Sequence, residues 1–389
     1  MTLPPISKIL VEEEVRETEV ARAILRNAGR IEVDCVPARA VERELRSLAP
    51  AEWKGTLAVR RCRGVALRRC QGFQDAYTCC RLHTLAVGNH CPLECTYCAL
   101  QYYMETSRLS VFANVEDLEA EVRSALRSRP RRVVRVTTGE LGDSLALDPL
   151  SEGSRRWIRC FRELENGILE LKTKTANVEH VLGEDGGGKV VVSWSVNPPE
   201  IVEREELKTA SLEARLEAAA RAARSGYAVG FHLDPIVRYP GWEEAYASLI
   251  DALFAAVPAE RVAWVSLGAL RFPGEVCSRM AERFPGSRLR LGEFVPSGDG
   301  KLRYPRPFRI ELYRLCLDRL RANFVDCASP PLVYLCMEGP EAWSRVFGVP
   351  APRGAELDWR FAESYRLRFP EAGLPETRVE DYEGGAIRR

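Results

Sequence analysis

At 389 residues, 46% of them hydrophobic, the chain can bury one barrel-sized domain with extensions, or two domains. Its 56 basic and 55 acidic residues leave a formal charge of +1, so the whole molecule exerts no strong field that would gather nucleic acid non-specifically. Thirteen cysteines accompany an N-terminus, Met1-Thr2-Leu3-Pro4-Pro5, that lacks the basic and apolar regions of a secretory leader. Together they indicate a reducing cytoplasm and metal chemistry rather than a disulfide scaffold. No uncharged apolar run approaches the roughly 18–20 residues that cross a bilayer, so no membrane partner is expected. Only seven of the basic residues are Lys; the Arg excess reflects base composition more simply than phosphate recognition, though it leaves many bidentate donors.

In chain order, Val11 to Ala28 reads as one amphipathic helix, followed by a strand, Ile31–Val36, and a charged helix over Arg39–Leu48. From Leu82 the pattern changes to apolar runs of strand length alternating with helical segments. Leu82–Val87 precedes a helix over 115–128, Val133–Thr138 one over 151–164, and Ile168–Lys172 a short one over 177–182. Val190–Ser195 then precedes 211–225, Ala228–Leu233 precedes 242–256, and Val262–Leu267 precedes 274–284. Continuous apolar strands followed by amphipathic helices predict a parallel sheet covered by helices. Six such units fall short of a closed eight-unit barrel, so the predicted fold is α/β, a partial (β/α)6 TIM-like barrel with N-terminal and C-terminal extensions. The expected division is 1–80, an N-terminal α/β extension; 81–297, the barrel; and 298–389, the C-terminal extension. In the last segment a Pro- and Arg-rich stretch leads to a helix over 309–322 and a strand, Val333–Leu335. The tail beyond Pro350 is charged and weakly periodic.

The loop after the first barrel strand carries Cys91, Cys95 and Cys98, spaced C-x3-C-x2-C, with Tyr97 just before the last. Three thiolates so spaced can hold three corners of a [4Fe–4S] cluster and leave the fourth iron without a protein ligand. S-adenosylmethionine can chelate such an open iron, and its reductive cleavage to a 5′-deoxyadenosyl radical is chemistry of the cofactor. The alternative is a zinc site, but those usually pair C-x2-C units and close with four ligands.

Ligands of such sheets lie beyond the carboxyl ends of the strands, which here supply Gly139, Glu140 and Asp143; Lys172 and Lys174; Ser195 and Asn197; and His232 and Asp234. On the functional reading they bind methionyl, ribose and substrate groups above the cluster. On the structural reading some cap helices or satisfy backbone groups. Lys172 and Lys174 point the same way by strand alternation, one inside and one nearer the rim. Cys62, Cys70, Cys79 and Cys80, with His83, could hold a second metal, although free Cys is also a common small core residue. Arg303, Tyr304, Arg306, Phe308 and Arg309 interleave basic and aromatic side chains that could hold phosphates and stack on bases.

The ordered set Cys91-x3-Cys95-x2-Cys98-Ala99-Leu100-Gln101, Lys172-Thr173-Lys174, Ser193–Asn197, Ser211 with Glu213-x-Arg215-x-Glu217, Gly226-Tyr227, Gly230-Phe231 and Pro240-Gly241-Trp242-Glu243-Glu244 resembles the spore photoproduct lyase family of radical S-adenosylmethionine proteins. The resemblance runs from Val11 to about Tyr313. It implies a partial barrel, a [4Fe–4S] cluster on Cys91, Cys95 and Cys98, and S-adenosylmethionine held through Lys174 and Ser195. Characterised lyases of the family return hydrogen through a cysteine after the second strand and a tyrosine directly after the last cluster cysteine. Those positions are Glu140 and Ala99 here, and a cofactor-contacting serine of the lyases is Gly142.

The expected function is therefore a radical enzyme that abstracts hydrogen from an undetermined substrate, with Tyr97 and Glu140 at the reacting centre. Gly139, Asp143, Asn197 and His232 would join Lys174 and Ser195 at the cofactor. Its substrate would be DNA, a small molecule or a peptide, and its electron donor a flavodoxin- or ferredoxin-type reductant. The alternatives are a DNA photoproduct lyase with a rewired hydrogen path and a non-catalytic iron–sulfur or zinc protein that binds nucleic acid.

Overall fold

The computed structural model describes residues 5–49, 52–74, 76–103 and 108–383. Its main sheet has eight strands: β1 (Leu67–Arg69), β2 (His83–Leu85), β3 (Val134–Thr137), β4 (Gly167–Thr173), β5 (Val190–Ser195), β6 (Ala228–Ile236), β7 (Val262–Ala269) and β8 (Leu332–Leu335). They lie side by side in chain order, every pair parallel except the antiparallel β1–β2 edge. The result is a curled half-barrel, the architecture expected from the alternating apolar runs. Helices over Val115–Arg127, Gly153–Glu163, Leu212–Arg224 and Trp242–Ala256 come after β2, β3, β5 and β6, and a single turn, Glu179–Leu182, comes after β4. The central strands are covered on both faces, so β5 and β7 are buried along their whole length.

Inside the half-barrel the strands carry polar groups that satisfy one another. Glu170 Oε1 accepts hydrogen bonds from Ser193 Oγ at 2.7 Å and Trp264 Nε1 at 3.0 Å, and lies 2.7 Å from His232 Nε2. Burial alone would raise the Glu170 carboxyl, but the His232 charge and hydrogen bond, with Lys172 and Ser193, hold it at about 2.

Two regions depart from the sequence expectation. The segment predicted as one helix over Val11–Ala28 begins as a strand, Lys8–Glu12, passes through a 3-10 turn, Glu13–Val15, and becomes α-helical only at Glu19–Asn27. Ile9, Leu10 and Val11 are fully buried between Glu32–Val36 and Thr56–Arg60, both parallel to them. Thr18 starts the helix by accepting a hydrogen bond from Ala21 N. This N-terminal sheet is extended by Ser110–Phe112 and Gly88–Asn89.

The tail beyond Pro350 contains a helix, Glu356–Arg368, which buries Leu357, Phe361 and Tyr365. Phe361 meets Trp264 and Tyr334 edge-on at centroid distances of 5.7 and 4.8 Å. Strand β8 lengthens the barrel sheet at one end, as β1 does at the other. Among the described residues no helix is long and apolar enough to cross a membrane.

Candidate active site

The mouth of the half-barrel encloses a cavity of about 360 Å³, in the size range of small-molecule sites. Cys91, Cys95, Tyr97 and Cys98 line one end of it, together with Lys174 and Ser195 from the ends of β4 and β5. Gly139, Glu140, Asp143 and Lys172 line its flank, and Asp234, Arg271, Lys301 and Met337 the remainder. Of the residues expected from sequence, Asn197 and His232 do not line it. Asn197 is fully buried behind it, and His232 belongs to the Glu170 network in the barrel interior.

The cysteine loop is pinned from behind. Glu94–Cys95 pairs antiparallel with Glu206–Leu207, and Thr96 N donates to Glu205 O at 2.8 Å. Cys98 N donates to Cys95 O at 3.1 Å, turning the chain so that all three thiols reach the cavity. Burial pushes the Cys95 thiol up to about 12 and Cys91 upward as well, so metal binding there must displace protons.

Among the described residues no three His, Cys, Asp or Glu side chains converge on one point that a single ion could occupy. The chemistry of the donor set suits a [4Fe–4S] cluster held at three corners: three cysteines line one cavity, each thiolate able to bind a different iron. Cys62, Cys70, Cys79, Cys80 and His83 form no converging group either. Cys62 N is held by Asn114 Oδ1, whereas Cys70 Sγ lies 3.8 Å from Glu140 Oε1.

Two glycines let the strand-end loop approach this closely. A Cβ on Gly139 would stand 2.8 Å from Lys172 Cβ, and one on Gly142 would stand 2.7 Å from His90 O. Position 142 has no room for a serine with the backbone as it stands. Asp143 organises the same loop: its carboxylate accepts from Leu145 N, Ala146 N, Thr173 Oγ1 and Lys174 N at 2.7–3.0 Å.

The two strand-end lysines have different partners. Lys172 Nζ lies 3.7 Å from Glu140 Oε2, and Lys174 Nζ lies 2.9 Å from Glu206 Oε1. Glu206 also accepts from Tyr97 OH, from Asn197 Nδ2 at 2.9 Å and from Arg215 Nη1 at 2.6 Å. Burial would raise its carboxyl, but the Lys174 and Arg215 charges and the neutral donors hold it at about 2. Arg215, equally buried, donates to Ser195 O at 2.9 Å. In the same cavity Asp234 pairs with Arg271 at 3.0 and 3.2 Å.

Sequence reading missed Glu206 altogether and noted Arg215 without giving it a task. Much of the basic–aromatic stretch it singled out is engaged within the protein, although Arg306 is exposed. Arg303 pairs with Asp299 at 2.6 Å, Arg309 with Glu338 at 2.7 Å, and Tyr304 stacks on Phe294 at 4.9 Å.

The spore photoproduct lyase family model matches residues 47–298, more than half of the chain. The chain belongs to the spore photoproduct lyase family. Spore photoproduct lyase of Bacillus subtilis (strain 168) is 29% identical over 214 residues, 54% of this chain and 63% of that protein. The Clostridium acetobutylicum spore photoproduct lyase is 21% identical over 249 residues, 62% of this chain and 74% of its own length. The alignment with the Bacillus relative thus spans less than two thirds of that protein. A solved spore photoproduct lyase double mutant with bound AdoMet and dinucleoside spore photoproduct superposes with a TM-score of 0.73 at 22% identity. It covers 85% of this chain and 99% of its own. This likeness shows that the half-barrel is the fold of the spore photoproduct lyase family.

Proposed function

We propose that this member of the spore photoproduct lyase family is a radical S-adenosylmethionine enzyme of the reducing cytoplasm, drawing electrons from a flavodoxin- or ferredoxin-type donor. The observation that carries the reading is the gathering of three thiols, Tyr97, Lys174 and Ser195 around one end of a single cavity. When bound, the cluster supplies one-electron cleavage of S-adenosylmethionine to a 5′-deoxyadenosyl radical. Cys91, Cys95 and Cys98 would hold three irons, and Lys174 and Ser195 the methionyl group. Tyr97 closes the wall beside them. Glu140, tethered to Lys172, lies on the flank from which a substrate would meet the cofactor.

The substrate class is narrowed by that flank. A carboxylate paired with a lysine suits a polar partner with both donors and acceptors, and the Asp234–Arg271 pair repeats the pattern in the same cavity. One observation favours a second reading, a DNA photoproduct lyase with a rewired hydrogen path. The Cys70 thiol lies 3.8 Å from Glu140, and burial followed by the Glu140 charge pushes it well above the ordinary thiol range. It therefore keeps its S–H, the form a hydrogen-atom donor needs.

The test is anaerobic reconstitution followed by dithionite and S-adenosylmethionine. About four irons per chain and release of 5′-deoxyadenosine are expected. Cys→Ala at position 91, 95 or 98 should abolish both. Tetrahedral zinc on these three cysteines in anaerobically purified protein would overturn the proposal.

A further inference from the structure

We propose that Glu206 is the positioning residue of the cofactor end of the cavity, fixing Lys174, Tyr97 and the Ser195 strand end as one unit against the cluster loop. The inference rests on the S-adenosylmethionine reading above and adds a residue that no motif marks.

Four separate pieces of chain meet at this one carboxylate. Through its backbone, Glu206 pairs with Cys95, a cluster cysteine. Through Oε1 it accepts from the Tyr97 phenol, from Lys174 Nζ at 2.9 Å and from Asn197 Nδ2 at 2.9 Å. Through Oε2 it accepts from Arg215 Nη1 at 2.6 Å, and the same Nη1 donates to Ser195 O at 2.9 Å. Asn197 is fixed in turn, its Oδ1 accepting from Tyr246 OH at 2.7 Å. The Glu206 and Arg215 side chains are both fully buried.

A carboxylate in that position must be compensated on every lone pair or its desolvation would be prohibitive. Here it is compensated by two cations and two neutral donors. The arrangement has a consequence for Lys174. A lysine at a strand end is a point charge on a flexible four-carbon stem with three donors. Glu206 engages one donor and thereby fixes the stem, leaving two for the cavity that Lys174 lines. The same oxygen holds the Tyr97 ring, over which the Lys174 ammonium sits at 5.7 Å from the centroid. Asp143 holds the Lys174 backbone N–H at 2.7 Å, so main chain and side chain are anchored by different carboxylates. Glu206 touches no part of the cavity itself, which makes its role one of placement rather than ligation.

The experiment uses the full chain, reconstituted anaerobically, with three readouts: iron content, the S-adenosylmethionine dissociation constant, and the electron paramagnetic resonance spectrum of the reduced cluster with and without cofactor. Glu206→Gln keeps the shape but removes the charge that fixes Lys174. It is expected to load iron like the wild type, to bind cofactor about ten-fold more weakly and to broaden the cofactor-induced spectral shift, whereas Glu206→Asp should recover part of the loss. The decisive comparison is the Lys174→Ala background. If Glu206 acts through Lys174, adding Glu206→Gln there should cost little further affinity; a loss as large as in the wild-type background overturns the inference. Equal cofactor affinity in wild type and Glu206→Gln overturns it as well. Should Glu206→Gln fail to load iron, Glu206→Asp carries the same two-background comparison, with the same outcomes deciding. Absence of cofactor binding in the wild type would instead reject the underlying reading of the site, so the two failures are told apart.

Discussion

The two strand-end lysines are two residues apart and both line the cavity, yet they answer to different carboxylates. Lys172 is half-buried, and the charges of Glu140, Glu170 and Asp234 together raise its pKa against the effect of desolvation. Lys174 has one carboxylate partner and unused donors at the cysteine end. A charge-assisted contact in such a pocket contributes about 1.5–3 kcal/mol. Lys174→Ala is therefore expected to weaken S-adenosylmethionine binding by about ten- to a hundred-fold with the cluster intact. Lys172→Ala should have the smaller effect, and equilibrium binding to the reconstituted variants checks both. At this scale the cysteine triad and the lysine were legible because their spacing in sequence is their geometry. Glu206 was not. Its partners lie at positions 97, 174, 197 and 215, and no local pattern marks a carboxylate whose donors come from four separate segments.

Elements were legible where one period ran unbroken. The strands from β2 to β7 contain short apolar runs followed by helical segments, so their type and order followed from the sequence alone, whereas the edge strand β1, Leu67-Arg68-Arg69, carries no such run. The N-terminal strand was hidden because Glu12, Glu13 and Glu14 continue its apolar run with residues that read as a first helical turn. The structure stabilises Glu12 by burying it against Arg60 and Arg63. The helix Glu356–Arg368 was hidden for the opposite reason. Its Asp358 is buried against Arg132 at 2.7 Å, so the buried face mixes charge with aromatics and has no simple stripe. That helix closes the barrel wall through Phe361, which is 1% exposed and packs on Trp264 and Tyr334, with Arg135 held over its ring at 3.5 Å. Phe361→Ala should destabilise the fold by about 3–5 kcal/mol. It should appear as a lower urea midpoint, with iron content unchanged under native conditions. A midpoint within error of the wild type would mean that the helix is peripheral to the barrel.

For the molecule as a whole, the question is where a hydrogen atom can come from once a substrate radical has formed. The resemblance read from the sequence implies that the cysteine and tyrosine through which the family's lyases return hydrogen are replaced by Glu140 and Ala99 here. Neither a carboxylate nor a methyl group gives up hydrogen as a thiol or phenol does. Of the other sources, the Tyr97 phenol donates its hydrogen to Glu206 and is buried. The Cys70 thiol lies against Glu140, with Glu140 rather than Cys70 lining the cavity. The chain is therefore expected to release 5′-deoxyadenosine when incubated anaerobically with dithionite, S-adenosylmethionine and the dithymine photoproduct, without multiple-turnover release of thymidine. Glu140→Cys, which puts a thiol back on the cavity wall, should raise thymidine release above the wild type. Sustained repair by the wild type would show the expectation wrong and move attention to Cys70. In that case Cys70→Ala should stop repair while leaving iron content and 5′-deoxyadenosine formation in place, because Cys70 does not line the cavity with the cluster cysteines and its thiol lies against Glu140 and the Gly72 N–H.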